Sequence, residues 1–113
     1  MNFLLYVSDH GETITSTNGW HGAICDENEI HVPLVIWLSD EYKILNEGKW
    51  RNLQKNKDVA CNTNDIFFTM CGLANIVLPQ NYEDIQCDLS SSKYVPHTRT
   101  ILHHTGEKTM LWD

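Results

Sequence analysis

Two short, almost unbroken apolar runs govern how this chain can fold. They are Phe3-Leu4-Leu5-Tyr6-Val7-Ser8 near its start and Pro33-Leu34-Val35-Ile36-Trp37-Leu38-Ser39 further on. Runs this short, rich in branched and aromatic side chains, predict strands covered on both faces, as in a parallel sheet. Pro33 stands first in its run, where its missing N–H breaks no central ladder bond. Residues 9–31 between the runs carry Gly11, Gly19 and Gly22 and no sustained apolar period. They predict a long loop, and long loops within compact domains usually serve function.

Helical spacing follows the second run. Asp40 is a candidate cap for a helix over about 41–54, with Glu41 in its first turn. Tyr42, Leu45, Trp50 and Leu53 give that helix a ragged apolar face, which Gly48 weakens. A clearer helix is expected over about 64–75, capped by Thr63, with Ile66, Met70, Leu73 and Val77 near one face. Gly72 within it is a local cost. From Pro79 the chain reads as a polar, loop-like tail, closing with a pair of strands over Arg99 to His103 and Lys108 to Trp112. Two helices and two buried strands predict an α/β fold with the sheet sandwiched.

With 113 residues the chain holds one domain at most. Its 42% hydrophobic and 20% charged residues suit an ordered globular chain. Fifteen acidic residues against 8 basic ones give a net charge of −7. That balance argues against nucleic-acid binding through phosphate neutralisation, and against docking on an anionic membrane surface. No apolar stretch reaches the roughly 18 residues of a membrane-spanning helix. Met1 to Val7 has neither a basic region nor a cleavage-like site, so no export signal is expected. Cys25, Cys61, Cys71 and Cys87 form no C-x-x-C pair, which argues against a cysteine-rich zinc site. Three disulfide pairings would be open to four cysteines in an oxidising compartment.

The most informative segment is Leu5-Tyr6-Val7-Ser8-Asp9-His10-Gly11-Glu12, where an apolar strand runs directly into polar groups. In open α/β sheets, sites gather at the carboxyl ends of strands. Adjacent strand residues point to opposite faces, so Asp9 and His10 converge only if the chain turns there, and Gly11 supplies the freedom. One reading is a simple turn with an Asx hydrogen bond. The other is a pair of ligands, one carboxylate oxygen and one neutral imidazole nitrogen, suited to zinc. In that case Glu12 is a candidate acceptor orienting the imidazole.

Tyr6-Val7-Ser8-Asp9-His10-Gly11-Glu12 resembles the signature of the phosphoethanolamine transferases, in the sulfatase branch of the alkaline phosphatase superfamily. Asn18-Gly19-Trp20-His21-Gly22 is similar to the family's Asn-Gly…His-Gly element, and Val32-Pro33 through Trp37-Leu38-Ser39 to its following strand. Asn64-Asp65-Ile66-Phe67-Phe68-Thr69 with Gly72-Leu73 resembles its late helix. The likeness covers about residues 3–77. The family usually reads Ser-Leu-Gly-Glu-Asn-Gly after the signature glutamate, where this chain reads Thr13 through Gly19, so the acidic residue before Asn18 is missing.

The resemblance implies the carboxy-terminal part of an alkaline phosphatase-like sandwich, a mostly parallel sheet flanked by helices, with residues 1–113 as one partial domain. It implies Asp9 and His10 as ligands of a catalytic zinc and His21 at the substrate phosphate or a second metal. It further implies a phosphatidylethanolamine donor and a lipid A or lipopolysaccharide acceptor, at an inner-membrane protein with a periplasmic catalytic domain. The family's remaining zinc ligands, its threonine nucleophile and its membrane helices come from upstream and are not expected among these residues. Thr13, Thr15, Thr17, Thr63 and Thr69 lie outside the nucleophile's motif. The chain alone is therefore expected to be inactive. The competing expectation is a non-catalytic remnant or small domain keeping only the fold.

The other polar residues read more plainly. His31 suits a partly exposed loop. His97 stands isolated in the tail, and His103 and His104, being adjacent, face opposite sides of a strand. Asp26, Glu27 and Glu29 lack the spacing of a calcium loop and read as a solvated face. Trp37 is expected in the core, and Trp20 either lines a pocket or anchors its loop.

Overall fold

The computed structural model describes residues 1–14, 19–20, 27–97, 100–102 and 108–110. It divides into two units, residues 3–38 and residues 1–2 with 39–113.

In the first unit, β1 (Phe3–Val7) pairs with β4 (Leu34–Leu38) in register from Phe3↔Leu38 to Val7↔Leu34. Between them lie a short ladder of β2 (Thr13–Ile14) with β3 (Gly19–Trp20) and the single-turn α1 (Glu27–Ile30). Both apolar runs are strands, as expected, but they pair antiparallel. An apolar run reports how many side chains avoid water and is silent on strand direction. Exposure alternates along both strands. Leu4 opposite Trp37 and Tyr6 opposite Val35 all lie on a half-exposed face, so Trp37 is 53% exposed and not a core residue. This is the alternation of an antiparallel pair covered on one side.

In the second unit, the expected helix over 41–54 is two helices, α2 (Asp40–Leu45) and α3 (Glu47–Asn56). The cap is Ser39 rather than Asp40: its Oγ accepts the Tyr42 N–H at 3.2 Å, and Asp40 falls in the first turn. The break falls at Asn46, where the backbone leaves helical values at φ −131° and ψ 48°. Asn46 turns its backbone N–H and its Nδ2 onto the Tyr42 carbonyl, at 2.9 and 3.2 Å. A side-chain amide competing for a backbone carbonyl is how asparagine disrupts a helix. Gly48, the expected weak point, sits harmlessly in the first turn of α3.

The last long helix is α4 (Asn64–Leu73). Its end is a Schellman motif: Ile76 N–H reaches the Cys71 carbonyl at 2.9 Å and Asn75 N–H the Gly72 carbonyl at 3.3 Å. Asn75 takes the left-handed conformation this requires, φ 56°. The buried face differs from the apolar stripe expected. Asp65, Thr69, Cys71 and Leu73 are buried, whereas Met70 is 46% and Val77 91% exposed. Polar residues occupy the inside because each finds a partner; Thr69 Oγ1 accepts the Leu89 N–H at 3.0 Å.

That partner belongs to the tail, which is more than a loop. A 3₁₀ turn (Ile85–Cys87) packs near α4, and Leu89, Ser90 and Tyr94 are buried beyond it. Asn52 and Asn56 of α3 hold the Ser90 and Leu89 carbonyls, each at 2.9 Å. Tyr42 donates to the Leu73 carbonyl at 2.5 Å, joining α2 to the end of α4. The terminal strands are present as β5 (Thr100–Leu102) and β6 (Lys108–Met110), paired antiparallel. Among the described residues no helix is long and apolar enough to cross a membrane.

Candidate metal centre

Just past the carboxyl end of β1 the chain bends at Asp9, and the bend is locally fastened. Ser8 Oγ donates to the His10 carbonyl at 2.7 Å, and the His10 N–H donates to Asp9 Oδ1 at 2.9 Å. The Asp9 bond reaches only the next residue, one short of the N–H that closes an Asx turn, so the turn is fastened differently from the one the sequence suggests. The same turn brings the two side chains onto one side. His10 Nε2 lies 3.8 Å from Asp9 Oδ2. The second ring nitrogen, Nδ1, lies 2.9 Å from the Gly11 carbonyl. A carbonyl only accepts, so Nδ1 is the donor in this contact, and Nε2 is the nitrogen turned toward the carboxylate.

A fastened bend and a ligand pair are thus not exclusive. A backbone carbonyl on one ring nitrogen is the arrangement that orients metal-binding histidines and sets their tautomer. Two ligands of one tetrahedral zinc, with bonds of about 2.0–2.1 Å, stand roughly 3.3 Å apart. The Asp9–His10 separation needs only a small closure to reach that value. Asp9 is 88% and His10 47% exposed at the side chain, so the pair is open to an ion and to further ligands. His21 lies outside the described residues, as do Asp26, His103, His104 and the Trp20 side chain. His31 is exposed ahead of β4, as expected.

A second group of ligand types lies in the other unit and was not visible in the sequence. Asp65, Cys87 and His97 place one ligand atom each within 4.8 Å of one another. His97, which reads as isolated in the tail, sets its Nε2 2.9 Å from Asp65 Oδ1, although 32 residues separate them. The other oxygen, Asp65 Oδ2, accepts the Tyr94 hydroxyl at 2.8 Å and the Asn62 N–H at 3.1 Å. Tyr94 also reaches the Ala60 carbonyl at 3.1 Å, and His97 N–H binds the same carbonyl at 2.9 Å. Burial, then the Asp65 carboxylate, raises the Tyr94 hydroxyl well above its usual range. Burial, then the neighbouring Asp84 and Asp65, pushes the Cys87 thiol up to about 11. No spacing rule connects these residues; only the folding of the tail over α4 does.

Comparison with known proteins follows the strand-end motif. The sulfatase family model matches residues 2–76. The phosphoethanolamine transferase EptA of Salmonella typhimurium is 35% identical over 78 residues, which cover 65% of this chain and 14% of that protein. The phosphoethanolamine transferases EptA of Escherichia coli O157:H7 and of Escherichia coli K12 are each 32% identical over 78 residues, with the same coverage. The chain thus spans about one seventh of the length of the curated relatives it matches. No solved structure matches it.

Proposed function

The chain belongs to the sulfatase family, and from that premise we propose that it carries the zinc-binding strand end of a phosphoethanolamine transferase. The observation that carries this reading is the Asp9–His10 turn. It lies inside the matched segment, with Nε2 3.8 Å from the carboxylate and Nδ1 tied to Gly11. Asp9 and His10 are the proposed ligands, with the Gly11 carbonyl in the orienting place expected of Glu12 and His21 facing the substrate phosphate. The mostly parallel sandwich belongs to the same proposal, as the fold of the longer protein.

Zinc, when bound, supplies Lewis acidity that makes a hydroxyl nucleophilic at neutral pH and offsets phosphate charge. The chain's own contribution is narrower. Asp9 presents an anionic oxygen, and His10 presents a neutral nitrogen whose tautomer the Gly11 carbonyl holds. An imidazolium at His21 would offset charge on the phosphate and pass a proton to a leaving group. The donor in this reading is phosphatidylethanolamine and the acceptor a lipid A or lipopolysaccharide sugar. The nucleophile comes from outside these 113 residues, so the chain alone does not turn over.

Zinc titration of the chain, followed on the imidazole nitrogen resonances, tests the reading. Zinc is expected to shift His10 Nε2 while Nδ1 stays protonated, and Asp9→Asn to weaken the effect at least tenfold. With labelled phosphatidylethanolamine as donor, the isolated chain is expected to release no phosphoethanolamine. A His10 resonance indifferent to zinc would overturn the ligand assignment. Transfer by the chain alone, lost on Asp9→Ala, would overturn the statement that the nucleophile lies elsewhere.

A further inference from the structure

We propose that Asp65, Cys87 and His97 form a structural metal site for a zinc-class divalent cation, sharing no residue with the strand-end motif. Four observations support it.

The first is the donor set. One carboxylate, one thiol and one imidazole with ligand atoms within 4.8 Å are the oxygen, sulfur and nitrogen ligands zinc takes. Sulfur and nitrogen together disfavour calcium and magnesium, which take oxygen. The second is charge. An ionised Asp65, a Cys87 thiolate and a neutral His97 sum to the two negative charges that balance a divalent ion. The third is burial. Asp65 is 0% exposed, so its carboxylate is not one of the solvated acidic groups common on surfaces.

The fourth is place. The three ligands come from the first turn of α4, the 3₁₀ turn and the loop after Tyr94, three separate stretches of the chain. Among the described residues of this unit the buried apolar side chains are Tyr42, Cys71, Leu73, Leu89 and Tyr94. So small a core is the setting in which a metal contributes folding energy directly. Tyr94 and Asn62 already hold the far oxygen of Asp65, as the supporting partners of a ligating carboxylate do. Cys87 Sγ donates to Asp84 Oδ2 at 3.4 Å, which fixes the direction of the sulfur without adding Asp84 to the group.

A cysteine beside a histidine and an aspartate also suggests a nucleophile. The surroundings oppose that. Reactive thiols sit in electropositive places that lower their pKa. Cys87 has carboxylates beside it and is held protonated to about 11. A cation at this point reverses the effect, because a coordinating thiol is deprotonated outright.

The test uses cobalt(II) as a spectroscopic probe of the reduced, full 113-residue chain. The expected result is one equivalent of cobalt giving intense near-ultraviolet thiolate-to-cobalt absorption, displaced by zinc. Cys87→Ser and His97→Gln should each reduce it at least tenfold, while an Asp9→Asn, His10→Gln double variant should retain it. Zinc should also raise the melting temperature of the wild type and of that double variant, but not of Cys87→Ser. Absence of thiolate–cobalt absorption in the wild type would overturn the proposal whether or not the variants fold. So would absorption that survives Cys87→Ser. Failure of the strand-end reading shows instead in the His10 resonances, so the two results are separable.

Discussion

The Asp88 carboxylate occupies the space where a side chain on Gly72 would begin. A Cβ at position 72 would lie 2.1 Å from Asp88 Oδ2 and 2.7 Å from its Cγ. Glycine inside a helix is ordinarily a cost of about 1 kcal/mol against alanine. Here it lets a carboxylate pack against the backbone of α4. That carboxylate is fastened by the Ser90 N–H at 2.8 Å and the Ser90 hydroxyl at 2.6 Å. Lys49 caps the same region by donating to the Gly72 carbonyl and to Asn75 Oδ1.

Gly72→Ala should therefore destabilise the chain, by about 1–3 kcal/mol, against the sign that helix propensity alone predicts. Asp88→Ala in the same chain should recover part of the loss. Urea unfolding of the two single variants and the double variant measures the coupling. Strict additivity would show that the two residues do not compete for one space.

The Cys87 thiol gives a pH prediction. Its folded value of about 11 lies above the ordinary 9.0, so the unfolded chain ionises first. Stability from this group is intact below pH 9 and falls as pH rises toward 11. In the metal-free chain, alkylation at Cys87 should reach half its limiting rate near pH 11, and Asp84→Asn should lower that midpoint. Peptide mass spectrometry after timed iodoacetamide pulses reads both. A midpoint near that of a free thiol would contradict the carboxylate surroundings.

Ser39 and Asp40 should differ sharply despite being neighbours. Ser39 Oγ accepts from Tyr42 N–H at 3.2 Å and from Asn2 N–H at 3.0 Å, so its loss removes two hydrogen bonds at once. Ser39→Ala is expected to cost about 1–2 kcal/mol. Asp40 pairs with Lys43 on the surface, at 3.2 Å, and Asp40→Ala should stay within about 0.5 kcal/mol. Denaturation midpoints rank the two; the reverse order would return the cap to Asp40.

Much of the α/β character was legible, because strand runs and caps are local. Both apolar runs are strands, α4 begins within its expected range, and the terminal strands pair. Strand direction was not, since Leu4 and Trp37 read alike whether their strands run parallel or antiparallel. The inward face of α4 was misjudged for a related reason. Asp65 and Thr69 count as polar in any periodicity, and only partners contributed by Tyr94, His97 and Leu89 make their burial tolerable. The strand-end pair was legible because Asp9, His10 and Gly11 are consecutive. The Asp65 group was not, because its members meet only through the tail.

That consecutiveness has an entropic consequence. Two donor atoms on neighbouring residues leave no intervening loop to close around an ion, and the Ser8 and Asp9 hydrogen bonds already hold the turn between them. Little chain freedom is left to lose when such a pair chelates, whereas each doubling of an intervening loop would add about 0.6 kcal/mol. On the proposed reading, the strand end is a preassembled bidentate ligand. Affinity above that of a bidentate chelate, and selectivity among metals, must then be set by the ligands that complete the coordination shell.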